Sequence, residues 1–174
     1  RYASRGLGDV YKRQVPFSED FEASTSIPSC WSVINGGTSD AWYINTSSFY
    51  SQSGTNSATL YTDFNYGSND DYLITPPITL TGNEQLEYSY RARSSFEPND
   101  FEVLISTTGN SASDFTGTLV ANASYSNTSY VTNQVNLSAY SGDVYIAFHV
   151  PNGGLDGYYL YICLLYTSPS PRDA

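Results

Sequence analysis

Apolar residues along this chain recur at every second position, and the helical spacing of three and four is nearly absent. In Glu84–Arg91 the residues Leu86, Tyr88 and Tyr90 fall on one side, with Glu87, Ser89 and Arg91 on the other. Asp100–Thr107 alternates in the same way and sends Phe101, Val103 and Ile105 inward. Both predict antiparallel strands with one wet face. Asp143–Val150 and Gly157–Ile162 are apolar on both faces, the pattern of strands that lie centrally or under a covering loop. Further strands are predicted at Phe17–Glu22, Trp31–Ile34, Ala41–Asn45, Ala58–Thr62, Tyr72–Thr75, Thr118–Ala121 and Tyr130–Leu137. Ten or more short strands without a crossover helix predict an all-β sandwich or barrel. Long polar loops are expected at Asn35–Asp40, Thr46–Asn56, Asp63–Asn69, Ser94–Asn99 and Asn122–Ser129.

The stretch Asn69–Leu80 has the most internal structure. Two acids, Asp70 and Asp71, lead into Tyr72-Leu73-Ile74-Thr75, then Pro76-Pro77 interrupts and Ile78-Thr79-Leu80 follows. Proline has no N–H to give to a ladder, so the pair predicts a strand end or an edge. Acids at a loop-to-strand junction are held in place yet stay within reach of a cation.

The two ends of the chain have a peculiar relation. Ser4–Gln14 and Cys163–Arg172 can be encoded by opposite strands of one DNA segment, one base out of register. Both resemble translated sequencing-adaptor sequence. Residues 1–14 and 163–174 are therefore set apart as non-native tails, leaving 15–162 as a single domain truncated at its C-terminal end. Arg1–Arg13 and Ser168–Ala174 are expected to be irregular, whereas Cys163–Thr167 continues the strand pattern before it.

Setting the tails aside changes the charge. Only Arg91 and Arg93 remain against fifteen carboxylates, a net charge of −13, and no lysine is left. Nucleic acid is excluded as a partner, since its phosphates need many cations. Cys30 is the one cysteine outside the tails, so an intradomain disulfide is not expected. No run approaches the ~18 apolar residues of a membrane span. Asn-X-Ser/Thr triplets occur at Asn45, Asn122, Asn127 and Asn136, as chance allows in so Asn- and Ser-rich a chain.

Catalytic chemistry finds no footing. His149 is the single histidine, and no nucleophile motif accompanies it. One His and one Cys do not make a zinc site. Aromatic residues in predicted loops, Tyr50, Tyr66, Phe96 and Tyr125 with Phe49 and Phe64, are candidates for stacking on a sugar or anchoring a protein partner. The alternative is that they fold back to cap the ends of the sandwich.

Landmarks through the chain, taken in order, resemble the cleaved-adhesin, or choice-of-anchor J, domains of secreted Bacteroidetes proteins. They are Pro16–Glu22, Ile27–Trp31, Trp42, Asp71–Ile78, Phe101–Gly109 with Asp114-Phe115, Asn136–Phe148 and Tyr159–Ile162. The resemblance implies an antiparallel jelly-roll β-sandwich, MAM-like or galactose-binding-like, without catalytic activity. It implies a secreted or cell-surface adhesion module whose partner is an extracellular protein or glycan, joined to other domains of one polypeptide. A carbohydrate-binding accessory domain of a secreted hydrolase or peptidase is the alternative. It also implies a structural Ca²⁺ site, with Glu22, Asp71 and Asp100 at matching acidic positions and Asp20 two residues from Glu22 on the same predicted strand face. Where the family continues with Asp after the last Ile, this chain has Cys163.

Overall fold

The computed structural model describes residues 13–37, 40–62, 69–154 and 157–169. Thirteen strands occur among them: β1 (Arg13–Gln14), β2 (Phe17–Glu19), β3 (Ser32–Asn35), β4 (Tyr43–Asn45), β5 (Ser57–Tyr61), β6 (Asp71–Ile74) and β7 (Ile78–Leu80), then β8 (Glu84–Ala92), β9 (Asn99–Ser106), β10 (Gly117–Tyr125), β11 (Val131–Asn136), β12 (Gly142–Val150) and β13 (Tyr159–Pro169). They form a seven-stranded and a six-stranded sheet, antiparallel except where β1 runs parallel to β7. No helix among the described residues is long and apolar enough to cross a membrane.

Each sheet is built on one long strand. In the first, β6 and β7 pair with β12 end to end, β9 pairs with its other edge, and β10 and β3 flank them. In the second, β5 and β2 pair with β13 end to end, β8 runs along its other edge, and β11 and β4 lie outside. The two runs apolar on both faces are thus the two central strands, because only there does each face meet other side chains. The inner faces pack Phe101, Val103, Ile105, Val144, Ile146, Phe148 and Val150 against Leu86, Tyr88, Tyr90, Leu160 and Ile162. The residues expected inward point inward.

β9 departs from expectation. Its outer face is covered as well, because a short 3-10 turn (Ala112–Asp114) delivers Phe115 onto Tyr72, Ile74, Leu104 and Ala147. β10 is longer than predicted and takes in Asn122–Tyr125, which were expected in a loop. β2 is shorter and ends at Glu19, so Asp20, Phe21 and Glu22 lie in the turn that follows. At the chain ends, pairing runs on through Ser168 and Pro169 opposite Gln85 and Glu84, and Arg13 lies in β1, although both were expected to be irregular. The alternation of buried Cys163, Leu165 and Thr167 is what carries β13 that far. Residues 1–12 and 170–174 are outside the described residues.

The Pro76-Pro77 pair lies at a strand end, as expected, between the last residue of β6, Ile74, and the first of β7, Ile78. Val144 pairs with Ile78 and Ala147 with Ile74, so two residues of β12 face three of the partner. The interruption falls opposite β12 in the middle of the sheet, and the prolines, which have no N–H to give, lie between the two strands. Thr75 completes the ladder beside them. Its N–H donates to Ile146 O at 2.9 Å, and its hydroxyl oxygen accepts the Ile146 N–H at 3.0 Å. On the opposite side of the fold, the Glu84 carboxylate accepts the N–H groups of Thr81, Gly82 and Asn83 and fixes the turn into β8.

Thr75→Val keeps the shape of a buried side chain and orphans the Ile146 N–H. The expected loss is about 1–3 kcal/mol, seen as a fall in Tm of several degrees, while Thr75→Ser stays near the parent. Equal melting of the Val and Ser variants would remove the hydroxyl from this role.

Candidate functional site

The four acids assigned to calcium separate into three places. Glu22 follows β2, and its carboxylate accepts the N–H groups of Thr55 at 2.9 Å and Asn56 at 2.6 Å, and the Thr55 hydroxyl at 3.0 Å. The Asn56 N–H, with the two Thr55 donors, outweighs partial burial and holds Glu22 below its usual carboxylate range. Asn56 Nδ2 in turn donates to the carbonyls of Phe21 and Ser24 at 2.9 and 3.0 Å. Phe21 adopts φ +63 to put its ring into the core against Trp31, which turns the Phe21 carbonyl toward Asn56. Gly54, at φ +67, is required here, since a Cβ would lie 2.6 Å from the Glu22 carboxyl carbon.

Glu22 therefore sits in a cradle of two N–H groups and a hydroxyl. Asp20 does not share a strand face with it. Its Oδ1 accepts the Glu22 N–H at 3.0 Å, which makes Asp20 a turn cap rather than a second ligand. Cys163 occupies the far side, its thiol directed at Asn56 O at 3.6 Å.

Asp71 and Asp100 both begin strands, as expected, but they face opposite ways. Asp71 shares the inner face with Leu73, is fully buried, and accepts Asn69 Nδ2 on Oδ2 at 2.7 Å. Its Oδ1 is buried with no hydrogen-bond partner. Burial pushes the Asp71 carboxyl up, and the Asn69 amide offsets this only in part. Asp100 is two residues from Glu102 and hence on the outer face, where Oδ2 accepts Asn122 Nδ2 at 2.7 Å beside Gly154. A carboxylate on each side of one sheet cannot close on one ion. Among the described residues no three of His, Cys, Asp and Glu gather in a way that could hold a metal.

His149 lies on the outer face of β12, stacked on Tyr72 at 3.9 Å between ring centres. Nδ1 meets Glu102 Oε1 at 2.8 Å and Nε2 meets Asp70 Oδ1 at 2.9 Å. A histidine with both nitrogens so occupied is a strut between β6, β9 and β12, with no nucleophile at hand.

The aromatic candidates also separate. Tyr125 belongs to β10 and packs on Phe101 and Tyr90 at 4.5 and 4.9 Å, so it is core lining, not a loop contact. Phe96 is 95% exposed. Tyr66 and Phe64 lie outside the described residues. Tyr50 folds back onto the outer face of the six-stranded sheet and stacks on Tyr161 at 5.1 Å and 6°. The Tyr130 hydroxyl holds it there through Tyr50 O at 2.6 Å.

That face brings aromatic rings and two cations together on an acidic protein. Register places Tyr43, Thr59, Tyr161 and Arg91 in one row and Tyr61 beside Tyr159 in the next, with Arg93 N–H bonded to Tyr159 O. Arg91 lies 5.4–6.0 Å from the ring centres of Tyr161, Tyr130 and Tyr50, and Arg93 lies 4.6 Å from Tyr50 and 6.0 Å from Phe49. The strand aromatics Tyr43, Tyr61 and Tyr159 escaped the sequence reading, which looked for rings in loops. Their odd-numbered alternation with Arg91 and Arg93 on the neighbouring strand was the available signal.

The sequence pattern of the Cleaved Adhesin Domain family matches residues 14–162. Hemagglutinin A of Porphyromonas gingivalis is 28% identical over 179 residues, covering 86% of this chain. The chain spans 7% of the length of that relative. Among solved structures, the K1 cleaved adhesin domain of Lys-gingipain from P. gingivalis W83 superposes with a TM-score of 0.73 at 21% identity, covering 88% of this chain and 98% of that one. A xylan-binding domain of carbohydrate-binding family 22 shares the fold at a TM-score of 0.57 and 13% identity, covering 88% and 94%.

The raised carboxyl of Asp71 sets the sign of a pH effect. The folded chain holds this proton better than the unfolded one, so stability present below about pH 4 is lost as pH rises through the folded value. Asp71→Asn removes the charge and keeps the acceptor for Asn69. In chelator-containing buffer its Tm should match the parent near pH 4 and exceed it at pH 7. A variant that melts lower than the parent by the same margin at both values would show that the carboxylate is not strained by burial.

Proposed function

Because this chain belongs to the cleaved adhesin domain family, whose members are non-catalytic, we propose that it is an adhesion module of a larger secreted or surface-bound bacterial protein. The single observation that carries this is the family match from residue 14 to 162, nearly the whole of the sandwich. The arrangement of His149, satisfied on both nitrogens by Asp70 and Glu102, supports a binding scaffold rather than an acid–base site. The partner is an extracellular protein or glycan. The chain immobilised on beads should show saturable retention on collagen- or fibronectin-coated surfaces or on a glycan array. Retention on none of them would sink the adhesion reading.

A carbohydrate-binding role is the second reading, and the aromatic face of the six-stranded sheet favours it. Planar rings held rigid on strands present flat apolar surface to the CH face of a sugar at little entropic cost.

We further propose that calcium braces the fold at Glu22. Of the four acids, this is the one bonded to a residue around which backbone carbonyls gather: Glu22 accepts the Asn56 N–H, Asn56 Nδ2 donates to the carbonyls of Phe21 and Ser24, and the Cys163 thiol donates to Asn56 O. Ca²⁺ prefers six to eight hard oxygen ligands, and a single carboxylate with a neighbouring thiol is a poor set. On the view that residues 163–174 are adaptor-encoded, Cys163 stands where the family carries an acid. Cys163→Asp should restore the second carboxylate. At calcium about 100-fold over Kd, preferential binding stabilises by about 2.7 kcal/mol, a Tm rise on the order of 5–10 °C that chelator reverses. The parent chain should gain less. A Cys163→Asp chain whose melting ignores both calcium and chelator would remove the ion from this site.

A further inference from the structure

The two arginines of an acid-rich domain sit side by side, and neither is paired with an acid. Among the described residues the ion pairs are those of His149, and neither Arg91 nor Arg93 lies within ion-pair distance of a carboxylate. Both guanidinium groups instead lie over the rings of Tyr50, Tyr130, Tyr161 and Phe49. Arg91 donates from Nη1 to Phe49 O at 3.4 Å, while its Nε is buried without a partner. A guanidinium's fork of donors matches a carboxylate in two parallel bonds, and stacking on aromatic faces holds it flat for that purpose.

The rings around the two cations are partly open. Phe49 is 70% exposed and Tyr43 41% exposed, and Tyr61, Tyr158 and Tyr159 are half-buried in mutual contact at 4.7–5.9 Å. The patch thus combines flat apolar faces, a fringe of phenol hydroxyls, and two cations without an anion. The rest of the domain is so acidic that its field opposes any polyanion, which excludes nucleic acid and favours a ligand with one isolated negative group.

We propose that this face binds a saccharide carrying a single carboxylate. Arg93 is the anion's partner, Arg91 supports it, and Phe49 and Tyr43 stack on the sugar ring. The proposal deepens the carbohydrate reading above and rests on it. A terminal sialic acid and a terminal uronic acid offer the same chemistry.

The test titrates the full chain with 3′-sialyllactose, a glucuronic-acid-terminated disaccharide, neutral lactose and triglutamate, at 50 and 300 mM salt. At least one acidic sugar is expected to bind tenfold or more tightly than lactose and triglutamate, several-fold less tightly at the higher salt. Which sugar wins identifies the source of the carboxylate. Arg93→Ala should lose that preference while leaving any residual lactose binding. Phe49→Ala, at an exposed position that the core does not need, should weaken all sugars several-fold with an unchanged Tm. Equal affinity for lactose and the acidic sugars, or an Arg93→Ala chain that binds acidic sugars as the parent does, overturns the proposal and leaves the carbohydrate reading standing. Triglutamate bound as tightly as the sugars overturns it in favour of an acidic peptide. Binding of none of the four probes overturns both this proposal and the carbohydrate reading, and leaves adhesion through protein.

Discussion

Two strands with apolar side chains on both faces impose the main constraint on this molecule. β12 and β13 each satisfy one face in the common core, and neither can leave the other face wet without exposing a broad apolar strip. Every unusual feature of the outer surfaces answers that demand. On the first sheet, the 3-10 turn lowers Phe115 onto Tyr72, Leu104 and Ala147, and His149 lies flat on Tyr72 beside them. On the second, the loop after β4 lays Tyr50 over Tyr161.

The two covers differ in what they leave open. Around His149 the polar atoms are matched: each ring nitrogen has a carboxylate, and those carboxylates come from the start of β6 and from β9. That cover is closed and serves stability. Around Tyr161 the cover is incomplete, because two guanidinium groups share the space with phenol rings and no acid among the described residues pairs with them. Cation–π contact stabilises a guanidinium by roughly 0.5–2 kcal/mol, less than a desolvated bidentate anion could add. The two faces therefore differ in that the first is closed and the second leaves rings partly open beside two cations.

The acids, numerous as they are, act mainly on their own backbone. Glu84 gathers three consecutive N–H groups, Asp20 caps one, and Glu22 ties the turn after β2 to the loop before β5. Others bond side chains, as Asp70 and Glu102 do with His149 and Asp100 with Asn122, while Asp71 is buried and half-satisfied, with Asn69 on one oxygen. Nothing in a list of carboxylates distinguishes these roles. A turn cap and a metal ligand are both an Asp or Glu near a loop.

Alternation alone determined which residues of Glu84–Arg91, Phe101–Ile105 and Val144–Val150 face inward, and that the two doubly apolar runs are covered on both sides, either centrally or under a loop. Those follow from a period of two, a property of the chain itself. The ordered landmarks likewise determined the family. Tertiary structure decided whatever depends on a neighbour brought from far along the chain. It put the strand end at Pro76-Pro77 in the middle of a sheet, opposite β12, where the Thr75 hydroxyl supplies the acceptor that the Ile146 N–H needs. It set Asp71 and Asp100 on opposite faces of one sheet, and moved Tyr125 from a loop into the core. It also gathered Arg91, Arg93, Tyr50 and Tyr161 on one surface, since strand pairing between β8 and β13 is a contact across some seventy residues that no local pattern records.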